Sequence, residues 1–224
     1  MIKNISNLGD AAVYCDFGKE VNKEINTNVI KYFYSIRNQK IKGINNLTPS
    51  YNKLIISFDL KLTNFNEIKK KIENLNINEV FIQNNKELKI PVCCDEIFGL
   101  DIGILEKKLS IKKDKILKNF FNKEYFCYMT GFIAGMPFLG DLDNELQAKR
   151  LETPRVRVPK GSVGITEQFA NIYTFDSPGG WNIIGNTPIS KFDKSNETNP
   201  NLISPGDSIF FKRIDINQYK NFHD

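Results

Sequence analysis

Histidine is nearly missing from this chain: of 224 residues the only one is His223, next to the end. Ser-His-Asp and Cys-His catalysis both need a positioned imidazole, so neither is expected here. A metal centre built on histidine is unexpected for the same reason, and no metal is assigned. The four cysteines, Cys15, Cys93, Cys94 and Cys127, form no C-x-x-C pair. That spacing is what zinc and thioredoxin-type redox sites need; without it the thiols read as buried and reduced. No G-x-x-x-x-G-K-[ST] phosphate loop occurs, which removes P-loop nucleotide binding. No apolar run reaches the length of a membrane span, and the opening MIKNISNLGD lacks the apolar stretch of a signal peptide. The expected location is cytoplasmic.

What is present is an ordinary globular balance, 41% apolar and 25% charged residues. The net charge of +5 is uneven. Up to Thr130 there are 21 Lys and Arg against 15 Asp and Glu; from Gly131 onward there are 10 against 11. The excess is mostly Lys scattered along amphipathic helices, a solvated face rather than a clustered nucleic-acid footprint.

Glycine and proline divide the chain. Nine of 14 Gly and seven of nine Pro follow Thr130. Before it, Val21, Ile25, Val29, Tyr32, Phe33 and Ile36 recur at helical steps, as do Phe65, Ile68, Ile72 and Leu75. Leu54, Ile56 and Phe58 alternate as a half-buried strand does, and 11–17 and Val80 to Gln83 also read as strands. The expected order is ββαββαβ, an α+β domain over residues 1–88. Residues 89–224 form the second domain. It has a helical lead-in after Pro91 (Leu105, Leu109; Ile116, Leu117, Phe120, Phe121), then short apolar runs, RVRVP, SVGI, NIYTF, WNIIG and SIFF. Short strands with Gly and Pro punctuation predict a β-barrel or sandwich.

Three dense segments carry the candidate site. Tyr128 to Asp143, YMTGFIAGMPFLGDLD, is an apolar run too interrupted by Gly and Pro for a helix. It reads as a strand entering a packed loop, with Phe132, Pro137 and Phe138 lining a pocket. In TPRVRVPKGSVGI and just before it, Arg150, Arg155 and Arg157 cluster although the chain has only five Arg against 26 Lys. Arg155 and Arg157 share one side of a strand and offer planar forks suited to carboxylate or phosphate. Paired strand arginines are the competing explanation. In SPGGWNIIGNTP, Pro178, Gly179 and Gly180 are expected to set a tight turn beside Ser177 and the only tryptophan, Trp181.

Together TPRVRVPKGSVGI, SPGGWNIIGNTP and LISPGD, in order and in register, resemble the family of the 5-oxoprolinase B subunit, also known as the KipI or allophanate-hydrolase-subunit-1 family. The resemblance implies a cyclophilin-like β-barrel for the second domain. It also implies a non-autonomous component, inactive alone, that works with the C and A subunits to open 5-oxo-L-proline to L-glutamate using ATP together with Mg. Substrate contacts are then expected at Arg155, Arg157 and Ser177 to Trp181; no catalytic residue can be named. The same family implies two other roles: a KipI-like inhibitor of a histidine kinase, or a docking module of a urea-processing enzyme. The chain departs from the family pattern where Phe120 replaces a His and where Glu167 to Asn171 replaces G-G-Q-T-G.

Overall fold

The first long helix begins where Asn22, in extended conformation, accepts a hydrogen bond from the Ile25 N–H at 2.9 Å, satisfying a donor the helix leaves open. In the computed structural model the residues described are 1–77, 85–189, 192–193 and 200–222. The expected strand at Val80 to Gln83, and His223, lie outside them. The chain divides into two compact units, Met1–Asn85 and Lys86–Asp224.

The first unit contains β1 (Asn4–Asn7), β2 (Ala12–Asp16), α1 (Lys23–Gln39), β3 (Ile44–Pro49), β4 (Lys53–Phe58) and α2 (Phe65–Glu73). The strands form one antiparallel sheet in the order β1-β2-β4-β3. Alternation puts Val13 and Cys15 of β2 and Leu54, Ile56 and Phe58 of β4 on one face. Val29 and Ile36 of α1 and Ile68 and Ile72 of α2 join them in a single core. Asn26, buried within α1, spends its amide on the Ser50 and Tyr51 carbonyls.

The second unit runs β5 (Glu87–Cys93), α3 (Ile102–Leu109), α4 (Lys113–Phe121), β6 (Glu124–Thr130), β7 (Pro137–Gly140), β8 (Arg155–Val158), β9 (Ser162–Thr166), β10 (Phe169–Ile172), β11 (Ser177–Gly179), β12 (Asn182–Asn186), β13 (Ser208–Ile214) and α5 (Ile216–Lys220). Seven strands close into a barrel in the order β10-β7-β6-β13-β5-β12-β9. β13 lies between β5, to which it is parallel, and β6, to which it is antiparallel. One buried cluster takes side chains from all seven strands, among them Val92, Cys127, Leu139, Ile165, Ala170, Ile184 and Ile209, and so fills the interior. Leu105, Leu117 and Phe120 of the two helices join it. Among the described residues β8 and β11 pair only with each other, as a separate two-stranded ribbon.

The barrel and the two helices after Pro91 follow the sequence reading, but β5 was not foreseen: Pro91 sits inside a strand whose last four residues are all buried. Proline is tolerated because β12 meets β5 at a single register position, Asn186 with Cys93, so the missing N–H costs no ladder bond on that edge.

Candidate outer-face site on the barrel

The strand register fixes which side chains leave the barrel outward. Leu139 and Ile165 each stand opposite Ala170, and all three belong to the interior cluster. The adjacent row, Phe138, Asn171, Gly164 and Ile183, therefore faces out. On this face Met136, Tyr173 and Ile183 form a second small cluster, covered by Val158 of the ribbon and flanked by Phe138. Trp181 is half-buried and meets Phe138 edge to face, ring centroids 5.7 Å apart.

The ribbon lies where two glycines permit it. A Cβ on Gly179 would collide with the Tyr173 hydroxyl. Gly164 makes room in the same way: a Cβ there would stand 2.8 Å from Asn171 Oδ1 and 3.0 Å from Trp181 Cβ. The expected turn at Pro178 to Gly180 is thus corrected. Ser177–Gly179 is extended strand paired to β8, with Ser177 opposite Val158 and Gly179 opposite Arg155. Its glycine answers a close approach, not a bend.

The arginines resolve differently from one another. Arg155 donates from both terminal nitrogens to Asp101, at 2.9 and 2.6 Å. Asp101 is completely buried and also accepts the Ile183 N–H at 2.7 Å. This pair ties the start of α3 to β8 and β12. Arg157 donates through Nε to Asp176 at 2.8 Å, on the exposed surface. The Lys160 N–H and the Arg157 guanidinium together hold the Asp176 carboxyl below its usual range. Both forks expected to be open to a ligand anion are therefore occupied by carboxylates of the chain itself. Arg150 is the exception: it holds no carboxylate among the described residues. Its side chain lies against Gly180, where a Cβ would come within 3.5 Å of Nε.

Asn171 carries the other unspent polar group. It is fully buried, and neither Nδ2 nor Oδ1 makes a well-formed hydrogen bond, although the amide lies beside the Tyr173 hydroxyl. Burial pushes the Tyr173 phenol up, opposed by Asn171, the Trp181 backbone and the charges of Arg150 and Arg155. Ser177 Oγ is a second buried polar atom with no hydrogen bond among the described residues. Of the expected pocket residues, Pro137 is buried and turned by alternation to the opposite side with Leu139, while Phe138 is half-buried on this face. Phe132 is not there: it is 79% exposed, at a φ of 67° in the turn between β6 and β7, which lifts it away from the sheet.

A family model described as carboxyltransferase domain, subdomain C and D, matches residues 3–203. Two curated relatives are named as the B subunit of 5-oxoprolinase. The Bacillus subtilis protein is 32% identical over 96% of this chain and 94% of its own length. The Haemophilus influenzae protein is 30% identical over 93% and 96%. The chain belongs to this family. Among solved structures, TTHA0988 superposes with a TM-score of 0.82 at 26% identity, over 92% of this chain and 40% of that longer one.

Phe120 is fully buried and stacks on Phe211 with centroids 4.8 Å apart. Phe169, the first residue of β10, meets Tyr128 with ring centroids 6.1 Å apart. The turn before it consists of Glu167 and Gln168, with Glu167 left-handed at φ 46°. Sequence reasoning missed Asp101, Asn171 and Tyr173. Asp101 shows only as a polar residue before a helix, and its partner lies 54 positions away. Asn171 begins the NIYTF run read as strand and ends the segment matched to G-G-Q-T-G, and neither reading singles out its side chain.

Proposed function

We propose that the chain is the B component of an ATP-dependent 5-oxoprolinase, working with the C and A subunits to open 5-oxo-L-proline to L-glutamate. The observation that carries this reading is the near end-to-end match to two curated proteins of that name. The outer barrel face adds, among the described residues, an arginine without a carboxylate and a carboxamide without a well-formed hydrogen bond.

Those groups suit the substrate's chemistry. 5-Oxo-L-proline presents a carboxylate and a lactam whose N–H and C=O lie on one edge of the ring. Arg150 supplies a guanidinium fork for the carboxylate. The Asn171 carboxamide offers one donor edge and one acceptor edge, the complement of a lactam. Because Asn171 is fully covered, contact requires a side chain of the outer face to swing aside. Ser177 to Gly180 would border the ligand, while Arg155 would act through Asp101 to fix the ribbon.

A lactam carbon is a poor electrophile. Phosphorylation of its oxygen by ATP, with ADP leaving, activates the carbon to water; expulsion of the ring nitrogen gives an acyl phosphate that a second water hydrolyses. Overall, 5-oxoproline, ATP and two waters yield glutamate, ADP and phosphate. Donors aimed at the developing oxyanion assist this sequence. The test is direct: the purified chain with the C and A subunits, ATP, magnesium and 5-oxoproline is expected to release glutamate, and no glutamate from the complete set overturns the proposal.

A further inference from the structure

The first unit has a feature that the barrel chemistry does not use. A groove of about 560 Å³ opens between the C-terminal turn of α1 and the start of β3. Its floor is Phe33, Ile41, Ile44 and Leu47, half-exposed side chains that continue the buried core outward. Arg37 and Lys40 rise beside it, and none of the nine lining residues is acidic. Neither cation holds a carboxylate among the described residues; Arg37 instead lies over the Phe33 ring at 6.0 Å. Favourable placement near the negative end of a helix explains basic residues here. It does not explain why the cations border an open apolar trough.

Two further observations specify the shape of an occupant. β3 is an edge strand among the described residues, because the sheet order ends on it. Its register shifts between Ile44 and Asn46, within the stretch that lines the groove. An edge strand presents unspent backbone N–H and C=O groups to any extended chain laid along it. Lys40 also stands in the left-handed region, at φ 46°, where glycine is the relaxed choice. A strained lysine kept at the mouth of the groove places a charge there that glycine could not.

We propose that this groove is a docking site for an extended, acidic segment of a companion subunit, which adds as a strand to β3. Its apolar side chains enter the trough and its carboxylates meet Arg37 and Lys40. The proposal rests on the reading of the chain as one component of an assembly; it goes beyond that reading in naming the surface and the chemistry of the partner segment. An apolar trough supplies affinity, while the exposed cations set partner choice and salt dependence.

The experiment measures assembly of the full chain with the C and A subunits. Wild type is compared with Arg37→Glu/Lys40→Glu, with Lys40→Gly, and with Lys107→Glu as a charge-changing control on exposed α3. The double variant is expected to weaken assembly by about tenfold or more, as reversed rim charges do, and the control to leave it unchanged. Lys40→Gly is expected to raise the melting temperature of the chain alone yet weaken assembly, a combination that a purely structural lysine does not produce. Hydrogen exchange of the Ile44 to Leu47 amides is expected to slow on assembly. Unchanged assembly in the double variant, or unchanged exchange along β3, overturns the inference while leaving the proposed activity intact. A wild-type chain that assembles with neither companion overturns both.

Discussion

Single side chains divide here into those already spent and those still open. Asp101 is wholly buried and its charge is met by Arg155, whose side chain is 28% exposed. Arg155→Ala would strand the carboxylate, and urea unfolding is expected to show a loss of about 3 kcal/mol, the lower end for a broken buried pair because water reaches one partner. Arg157→Ala, on the open surface, is expected to change stability by less than about 1 kcal/mol. Asn171 offers the opposite case. It gives up no well-formed hydrogen bond, so Asn171→Ala is expected to leave stability within about 1 kcal/mol of wild type. In the assembled enzyme the same change is expected to raise KM for 5-oxoproline, and Arg150→Ala to raise it by roughly tenfold or more, the worth of one charge-assisted hydrogen bond. Normal KM in both variants would remove these residues from the proposed site.

At the scale of elements, local chemistry carried much of the architecture. The 3.6-residue spacing of Val29, Tyr32 and Ile36 placed α1, and its start is set by the Asn22 cap. Asn22→Ala is expected to cost about 1 kcal/mol in thermal or denaturant unfolding. RVRV, SVGI and SIFF became β8, β9 and β13. The failures have a common physical cause: partners distant in sequence. Pro91 signals a break in any local reading, and only the incomplete ladder with β12 makes it acceptable in β5. Pro178 to Gly180 reads as a turn, and only the Tyr173 hydroxyl beneath it shows why the backbone is extended and bare. Alternation groups Arg155 with Arg157 and Val156 with Val158, yet Val156 is exposed and Val158 buried, and Asp101 and Asp176 were invisible to that argument. The family motifs singled out segments; which atoms in them remain available depended on the folded partners.

For the molecule as a whole, the cysteines give a pH signature. Burial pushes the Cys15 and Cys94 thiols up to about 12, and the Cys127 thiol well above its ordinary value. Each is held neutral in the folded chain, whereas the unfolded chain ionises near the ordinary thiol value. Above that value the unfolded state binds fewer protons, so stability falls as pH rises from about 9 toward 12. Denaturant midpoints measured between pH 7 and 10.5 are expected to decline across the upper part of this range. A thiol-specific chromophoric disulfide at pH 8 is expected to react slowly with the native protein and with four thiols after denaturation. Rapid native reaction of Cys127 would contradict its complete burial.

The placement of β13 between β5 and β6 also governs how the polypeptide matures during synthesis. The stave that shuts the ring spans Ser208–Ile214, while its parallel neighbour at Glu87–Cys93 leaves the ribosome more than a hundred residues sooner. Until Ser208–Ile214 has emerged, the growing chain must carry two unmated edges, the kind of surface on which nascent proteins aggregate. A stop codon just before Ser208 is therefore expected to yield insoluble product, although β5, β6 and the other barrel strands are all still made.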